Sequence, residues 1–213
     1  MIVAFLSAIA ALISVVNPLG AIPIYLALTS DETVQERKQT AFRTSMYFFA
    51  ILIVFFFAGV YILNFFGISI SAMRIAGGIV IFQSGFSLLS GEFSQSRGMN
   101  KKVKAEAMHK EDISFSPMAM PMLSGPGSIS LLISWYTIND TWSDKLMICG
   151  VVFVSALLVF ITLRSAPVLF KLLGRSGLKA ISRIMGFIVM SIAVQYVISG
   201  IYELVVSFRD VHG

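Results

Sequence analysis

The sequence is poor in charged, sulfhydryl and imidazole side chains. Only 13% of its 213 residues are charged, and it has one cysteine, Cys149, and two histidines. A single cysteine excludes an internal disulfide and any metal or redox site built from several cysteines. The long apolar runs hold no Asp, Glu or His deep inside them, so an obvious carboxylate proton relay is missing. We therefore expect no metal, no cofactor and no enzymatic activity.

Hydrophobic residues dominate what remains. They make up 57% of the chain, and the mean hydropathy is +0.86. This leaves too little polar surface for a soluble domain of this length, so the composition predicts a multi-pass protein of the lipid bilayer. The net charge is +5, but the basic residues fall in short connections between apolar runs. Their distribution indicates membrane topology and not a surface for nucleic acid.

Six apolar runs are long enough to span a bilayer, for which about 20 residues are needed. They cover residues 2–28, 43–66, 69–91, 114–138, 146–170 and 180–207. The first, third and fifth connections carry most of the Lys and Arg: Arg37, Lys38, Arg97, Lys101, Lys102, Lys104, Lys110, Lys171, Arg175 and Lys179. The positive-inside rule then predicts that these connections are cytoplasmic and that both termini face outward.

The two halves of the chain resemble each other. Residues 74–77 (Arg-Ile-Ala-Gly) match residues 183–186 (Arg-Ile-Met-Gly), and small residues follow at matching places: Gly77, Ser84 and Gly91 in one half, Gly186, Ala193 and Gly200 in the other. Because each unit has three spans, the second copy must enter the membrane from the opposite side. We predict an all-α protein of two inverted three-helix repeats, residues 1–91 and 114–213, joined by a cytoplasmic connection at 92–113.

Proline and glycine interrupt the first span of each half. Residues 15–23 and 120–127 each hold two prolines five positions apart, Pro18 with Pro23 and Pro121 with Pro126. Proline removes a backbone donor and clashes with the preceding turn, so helices 1 and 4 are expected to be broken. Freed backbone at membrane depth is tolerated only where it is buried or lines a cavity. Paired interruptions of this kind indicate the binding site of a transporter, although purely structural kinks are the alternative.

The residues at these breaks suit a small ligand with a carboxylate. A broken helix exposes N–H donors and a favourable dipole where its second half begins. Glycine lets ligand atoms approach the backbone and allows positive φ, and short polar side chains add hydrogen bonds. The predicted substrate-binding residues near the membrane midplane are Asn17, Pro18, Gly20, Ser124, Gly125, Pro126, Gly127 and Ser128.

A few other polar residues lie in the spans. Arg74 and Arg183 occupy equivalent places in the two halves, and Gln83 and Gln195 follow on the same helices. These four residues are candidates for gating or for lining the pathway. The alternatives are that the arginines extend to the membrane interface and that the glutamines bond neighbouring helices.

Residues 17–23 and 117–127 together give the chain a resemblance to the MarC family of bacterial and archaeal inner-membrane proteins, over essentially its full length. The resemblance implies six spans, a place in a prokaryotic inner membrane near the LysE-type exporters and, for some members, transport of small neutral amino acids such as alanine and glycine.

The sequence therefore favours a secondary transporter, expected to be an exporter of small neutral amino acids, in which one repeat moves against the other. The pattern leaves the coupling ion open and is compatible with an oligomer. Two other classes are alternatives: a structural or regulatory membrane subunit, and an intramembrane enzyme. The enzyme is disfavoured because no span carries a Ser/His pair, paired aspartates or a metal-ligand cluster.

Overall fold

The computed structural model describes residues 2–90, 113–138 and 141–212, and these residues are helical, with no strand among them. Seven α-helices and one π-helix follow in chain order: α1 (Ile2–Val16), α2 (Pro18–Leu28), α3 (Val34–Phe65), α4 (Ile70–Ser90), π1 (Ser114–Leu123), α5 (Pro126–Ile138), α6 (Trp142–Arg164) and α7 (Ala166–His212). Most of the predicted connection at 92–113 lies outside the described residues.

Local signals explain several helix ends. Thr33 and Glu36 form a capping box at the start of α3, and the Thr141 hydroxyl accepts a hydrogen bond from the Asp144 N–H at the start of α6. Gly67, with a φ of 66°, makes the turn between α3 and α4. Gly174, with a φ of 63°, interrupts α7 near its beginning. Both glycines occupy the left-handed region that other residues disfavour.

The helices are long and apolar enough for four or five membrane spans within the described residues. α3, α4, α6 and α7 each qualify, and α1 with α2 adds a fifth span as a pair bent by 41°. The predicted span at 114–138 is not one continuous helix, because π1 ends at Leu123 and the 13-residue α5 begins at Pro126. An all-helical membrane protein is thus confirmed, whereas the prediction of six spans is not.

Two predicted connections are helical instead. α3 begins at Val34, so Arg37 and Lys38 belong to the helix and not to a loop ending at residue 42. α7 begins at Ala166 and runs through residues 171–179, broken only at Gly174. Hydropathy marks where a segment leaves the apolar layer, but a helix with good capping and helix-forming residues continues beyond that point.

Large apolar side chains cover much of the outer surface. Phe65, Leu172 and Trp142 are each more than 70% exposed, while Tyr25, Phe48 and Phe56 are fully buried in the core. Exposed apolar surface of this extent is unfavourable in water and is typical of contact with lipid.

α4 and α7 pack antiparallel at very close range. A Cβ placed on Gly85 would lie 2.8 Å from the Gly186 carbonyl oxygen, and one on Gly200 would lie 3.0 Å from the Ser71 carbonyl oxygen. Small residues let the two helix backbones approach closely, and such packing holds helices together in lipid, where the hydrophobic effect does not. On α4 the contact uses Gly78 and Gly85, one position beyond the predicted Gly77 and Ser84, because Gly77 faces α5 instead.

This packing makes a stability prediction. Gly85→Ala should destabilise the protein by about 1–3 kcal/mol, because the new methyl group meets backbone atoms of α7 that cannot move aside. Gly150→Ala is the matched control, since its Cβ would meet only the Phe5 ring at 3.4 Å and alanine favours a helix. Thermal unfolding in detergent measures both variants. Equal stability of the two would contradict the importance of this contact.

Candidate functional site

The first break is a single residue between α1 and α2. Asn17 adopts the left-handed conformation, with φ 47° and ψ 64°, and is 1% exposed. Its side-chain oxygen accepts a hydrogen bond from the Gly20 N–H at 3.3 Å. Asn is among the few non-glycine residues that tolerate this conformation, and Pro18 has no N–H to lose at the first position of α2. Asn17 thus ends one helix and caps the next.

The second break is longer and less regular. π1 contains Pro117 and Pro121 and has extended backbone at Ser116 and Met120. Ser124 and Gly125 then separate π1 from α5, and the Ser124 N–H donates to the Ala119 carbonyl at 2.8 Å. The Met118 N–H donates to the Ile113 carbonyl at 3.3 Å, which is the acceptor that Pro117 cannot reach because it has no N–H.

The two breaks lie side by side at the middle of α4. A Cβ placed on Gly127 would lie 3.5 Å from Val15 Cγ1 and 3.2 Å from Ile81 Cγ1. Val15 is two residues before Asn17, and Ile81 lies next to the midpoint of α4. Residues far apart in sequence are therefore brought together near the centre of the bundle.

Each break also buries a polar group with no hydrogen-bond partner among the described residues. These groups are the Asn17 side-chain nitrogen and the Ser124 hydroxyl, on residues that are 1% and 0% exposed. Unpaired buried polar groups cost free energy and are rare in folded proteins. Thr44 on α3 and Ser155 on α6 also have unpartnered hydroxyls. The Asn17 and Ser124 groups differ from those of Thr44 and Ser155 because they lie at the two helix breaks.

The electrostatics of the breaks favour negative charge. Helix α5 begins at Pro126, so the N–H groups of Gly127 and Ser128 belong to its first turn and have no partner within the helix. The Ser128 hydroxyl donates to the Gly125 carbonyl at 2.9 Å and fixes this turn. At α2 the Asn17 oxygen already takes up the Gly20 N–H. The start of α5 therefore offers an anion more N–H groups without a partner in the helix than the start of α2 does.

The structure buries most of the predicted binding residues but differs from the sequence interpretation in detail. Asn17, Pro18, Gly20, Ser124, Gly125, Gly127 and Ser128 are buried, whereas Pro126 is exposed. The positive φ that glycine allows is not used by Gly20, Gly125 or Gly127. Within the described residues positive φ occurs at Asn17, Gly67 and Gly174. Gly127 has no left-handed backbone, and a Cβ there would be tight against Ile81 on α4 and in ordinary contact with Val15 on α1.

The four polar residues proposed for gating do not converge on the breaks. Arg74 is 7% exposed, and its Nε donates to the Ser134 hydroxyl at 3.0 Å while an Nη donates to the Glu203 carboxylate. This burial does not favour the alternative that Arg74 extends to the membrane interface. Arg183, Gln83 and Gln195 are exposed, and Gln195 contacts Ser199 on its own helix. Their part in a pathway stays a prediction.

Sequence reasoning missed the partners of Arg74. Ser134 stands in an unremarkable apolar stretch, and Glu203 lies 129 residues beyond Arg74 near the end of α7. A weak signal existed, because a buried arginine requires a compensating charge and Glu203 is the only acidic residue inside the six predicted apolar runs.

Comparison with known proteins gives the family. The chain is 40% identical over 193 residues to a UPF0056 membrane protein of Buchnera aphidicola subsp. Schizaphis graminum, covering 91% of this chain and 89% of that protein. It is 33% identical over 207 residues to the UPF0056 inner membrane protein MarC of Escherichia coli, covering 93% and 94%. No solved structure matches. The model of the MarC family integral membrane proteins matches residues 2–205, so the chain belongs to the MarC family.

Proposed function

We propose that this protein is a secondary transporter, an exporter of small neutral amino acids such as alanine or glycine, with the substrate bound where the two breaks meet. The observation that carries the proposal is the pair of fully buried, unpartnered polar groups on Asn17 and Ser124. Each interrupted segment carries one of these groups, and a bound ligand with hydrogen-bond acceptors would satisfy both.

The chemistry of the breaks specifies the ligand class. The Asn17 amide nitrogen, the Ser124 hydroxyl and the N–H groups at the start of α5 are all hydrogen-bond donors, and the helix dipole adds positive potential. A carboxylate satisfies such a set. Val15 and Ile81 close over Gly127, so the side chain of the substrate must be small. The amino-acid class itself comes from the resemblance to transporters among the MarC family.

The transporter is proposed to cross the membrane six times as two inverted repeats. In this arrangement π1 and α5 together form the fourth span. Three features support the repeat: each half begins with an interrupted helix, a long helix and a third helix follow, and the third helices α4 and α7 pack antiparallel. The contacts also come in matching pairs, with α4 on α5 and α7 on α2, and with α3 on π1 and α6 on α1. An in-plane pseudo-two-fold axis generates such pairs.

The proposed orientation places both termini on the periplasmic side. The excess of Lys and Arg in the first, third and fifth connections supports it. We expect a C-terminal alkaline phosphatase fusion, which is active only outside the cytoplasm, to be active. A fusion within residues 92–112 should be inactive. The reverse pattern would overturn the orientation and leave the binding site unaffected.

The function is tested by exchange of labelled L-alanine in proteoliposomes. Unmodified protein should exchange alanine, and L-alaninamide should compete weakly because it lacks the charge. Asn17→Gly should reduce exchange about tenfold or more, since glycine keeps the left-handed backbone but removes the amide donor.

The matched control for this experiment is Asn64→Ala, at an exposed asparagine at the end of α3, which should exchange normally. Equal competition by alanine and alaninamide would contradict binding through the carboxylate. Absence of exchange with any amino acid by the unmodified protein would instead favour a structural subunit.

Ser124→Ala separates a binding role from a structural one. Because the Ser124 hydroxyl is buried without a partner, its removal should leave the melting temperature unchanged or raise it, while alanine exchange falls. Ser128→Ala is the comparison, because it removes a hydroxyl that is bonded to Gly125 and should lower the melting temperature. A Ser124→Ala protein that melts earlier than Ser128→Ala would show that the hydroxyl stabilises the fold.

A further inference from the structure

Arg74 lies in a buried polar cluster that joins three helices near the beginning of α4. Its guanidinium contacts Ser134 on α5 and Glu203 on α7, and the backbone of α7 passes close by, since a Cβ on Gly200 would lie 3.2 Å from Arg74 Cβ. The proposed orientation puts this cluster at the outer end of the bundle, while the two breaks are near the middle.

One face of α5 runs from the breaks to this cluster. Gly127 faces Ile81, and Ser130 faces Gly77, where a Cβ would lie 2.6 Å from Ser130 Cβ. Ser134 then bonds to Arg74 at 3.0 Å. Positions 127, 130 and 134 recur at helical spacing and so share one side of α5. The interface between α4 and α5 therefore connects the proposed substrate site with Arg74 through two serine hydroxyls and closely packed glycines.

The two partners of the ion pair are not equally fixed. The Arg74 side chain is 9% exposed and is held by Ser134, whereas the Glu203 side chain is 40% exposed. A guanidinium presents several N–H donors in a rigid plane that matches a carboxylate. Glu203 can leave for water at modest cost, but Arg74 cannot lose its counter-charge without a replacement carboxylate.

We propose that Arg74 is a second, outer binding site for the carboxylate of the transported substrate, and that Glu203 occupies this site when substrate is absent. The substrate carboxylate displaces Glu203 while Ser134 still holds Arg74. Separation of α4 from α5 along the face that carries Ser130 and Ser134 then lets the substrate pass to the breaks. This inference rests on the proposed transport function. If Arg74 binds the substrate carboxylate, removing Glu203 lowers the alanine concentration needed for half-maximal exchange. If the ion pair is only structural, removing Glu203 does not lower it.

The test measures exchange of labelled L-alanine in right-side-out membrane vesicles as the external alanine concentration is varied. Glu203→Gln removes the competing charge and should lower the external concentration that gives half-maximal exchange several-fold. Arg74→Gln removes the site and should raise that concentration about tenfold or more. The double variant should behave like Arg74→Gln. Arg209→Gln, at an exposed arginine further along α7, should match the unmodified protein.

A structural ion pair gives a different pattern. Both single variants would then raise the half-saturating concentration or leave it unchanged, and that result overturns the proposal. If Arg74→Gln fails to fold, Arg74→Lys is the substitute, because lysine keeps the charge but lacks the planar guanidinium that binds a carboxylate through two bonds. Arg74→Lys should still raise the half-saturating alanine concentration. Failure of the unmodified protein to exchange alanine would contradict the proposed function itself, and is thus distinct from failure of the outer site.

Discussion

The structure depends on one constraint: backbone polar groups in an apolar layer must find partners inside the protein. An uninterrupted helix meets this requirement by itself, but a helix broken by proline does not. At the first break Asn17 uses its own side chain to bond the Gly20 N–H, and at the second break π1 supplies bonds such as that from Ser124 to Ala119. Both breaks must also be shielded from lipid, and burying them against each other meets that need.

The close contact between helices follows from this shielding. α4 covers the breaks at Ile81, and α4 is in turn held against α7 through Gly78, Gly85 and Gly186. Without a hydrophobic drive between helices in lipid, such packing relies on direct backbone approach. The glycines of α4 therefore affect the site indirectly, because they set how closely the covering helix lies over Gly127.

The sequence predicts the position of the breaks better than their form. Pro18 and Pro126 each begin a helix as expected, since proline favours the first helical position. The π-helix was not foreseen, because the sequence shows that Pro117 and Pro121 end regular bonding but not which bonds replace it. The pairing of Arg74 with Glu203 was also out of reach, since no local pattern links residues 129 positions apart. The left-handed conformation of Asn17 was not foreseen either, because a residue before proline usually has an extended backbone.

The two breaks are chemically unequal, and this inequality bears on how a ligand would bind. The Asn17 side-chain oxygen accepts a hydrogen bond from the Gly20 N–H of α2, whereas the side-chain nitrogen has no partner among the described residues. The first break therefore contributes a side-chain donor. The second break contributes the first turn of α5 and the Ser124 hydroxyl. A carboxylate held by both breaks bridges the two proposed repeats, and its loss would leave donors unpaired on each. The free energy of carboxylate binding then depends on how closely the two repeats approach each other. Alternating access requires such a link between binding and the relative position of the repeats.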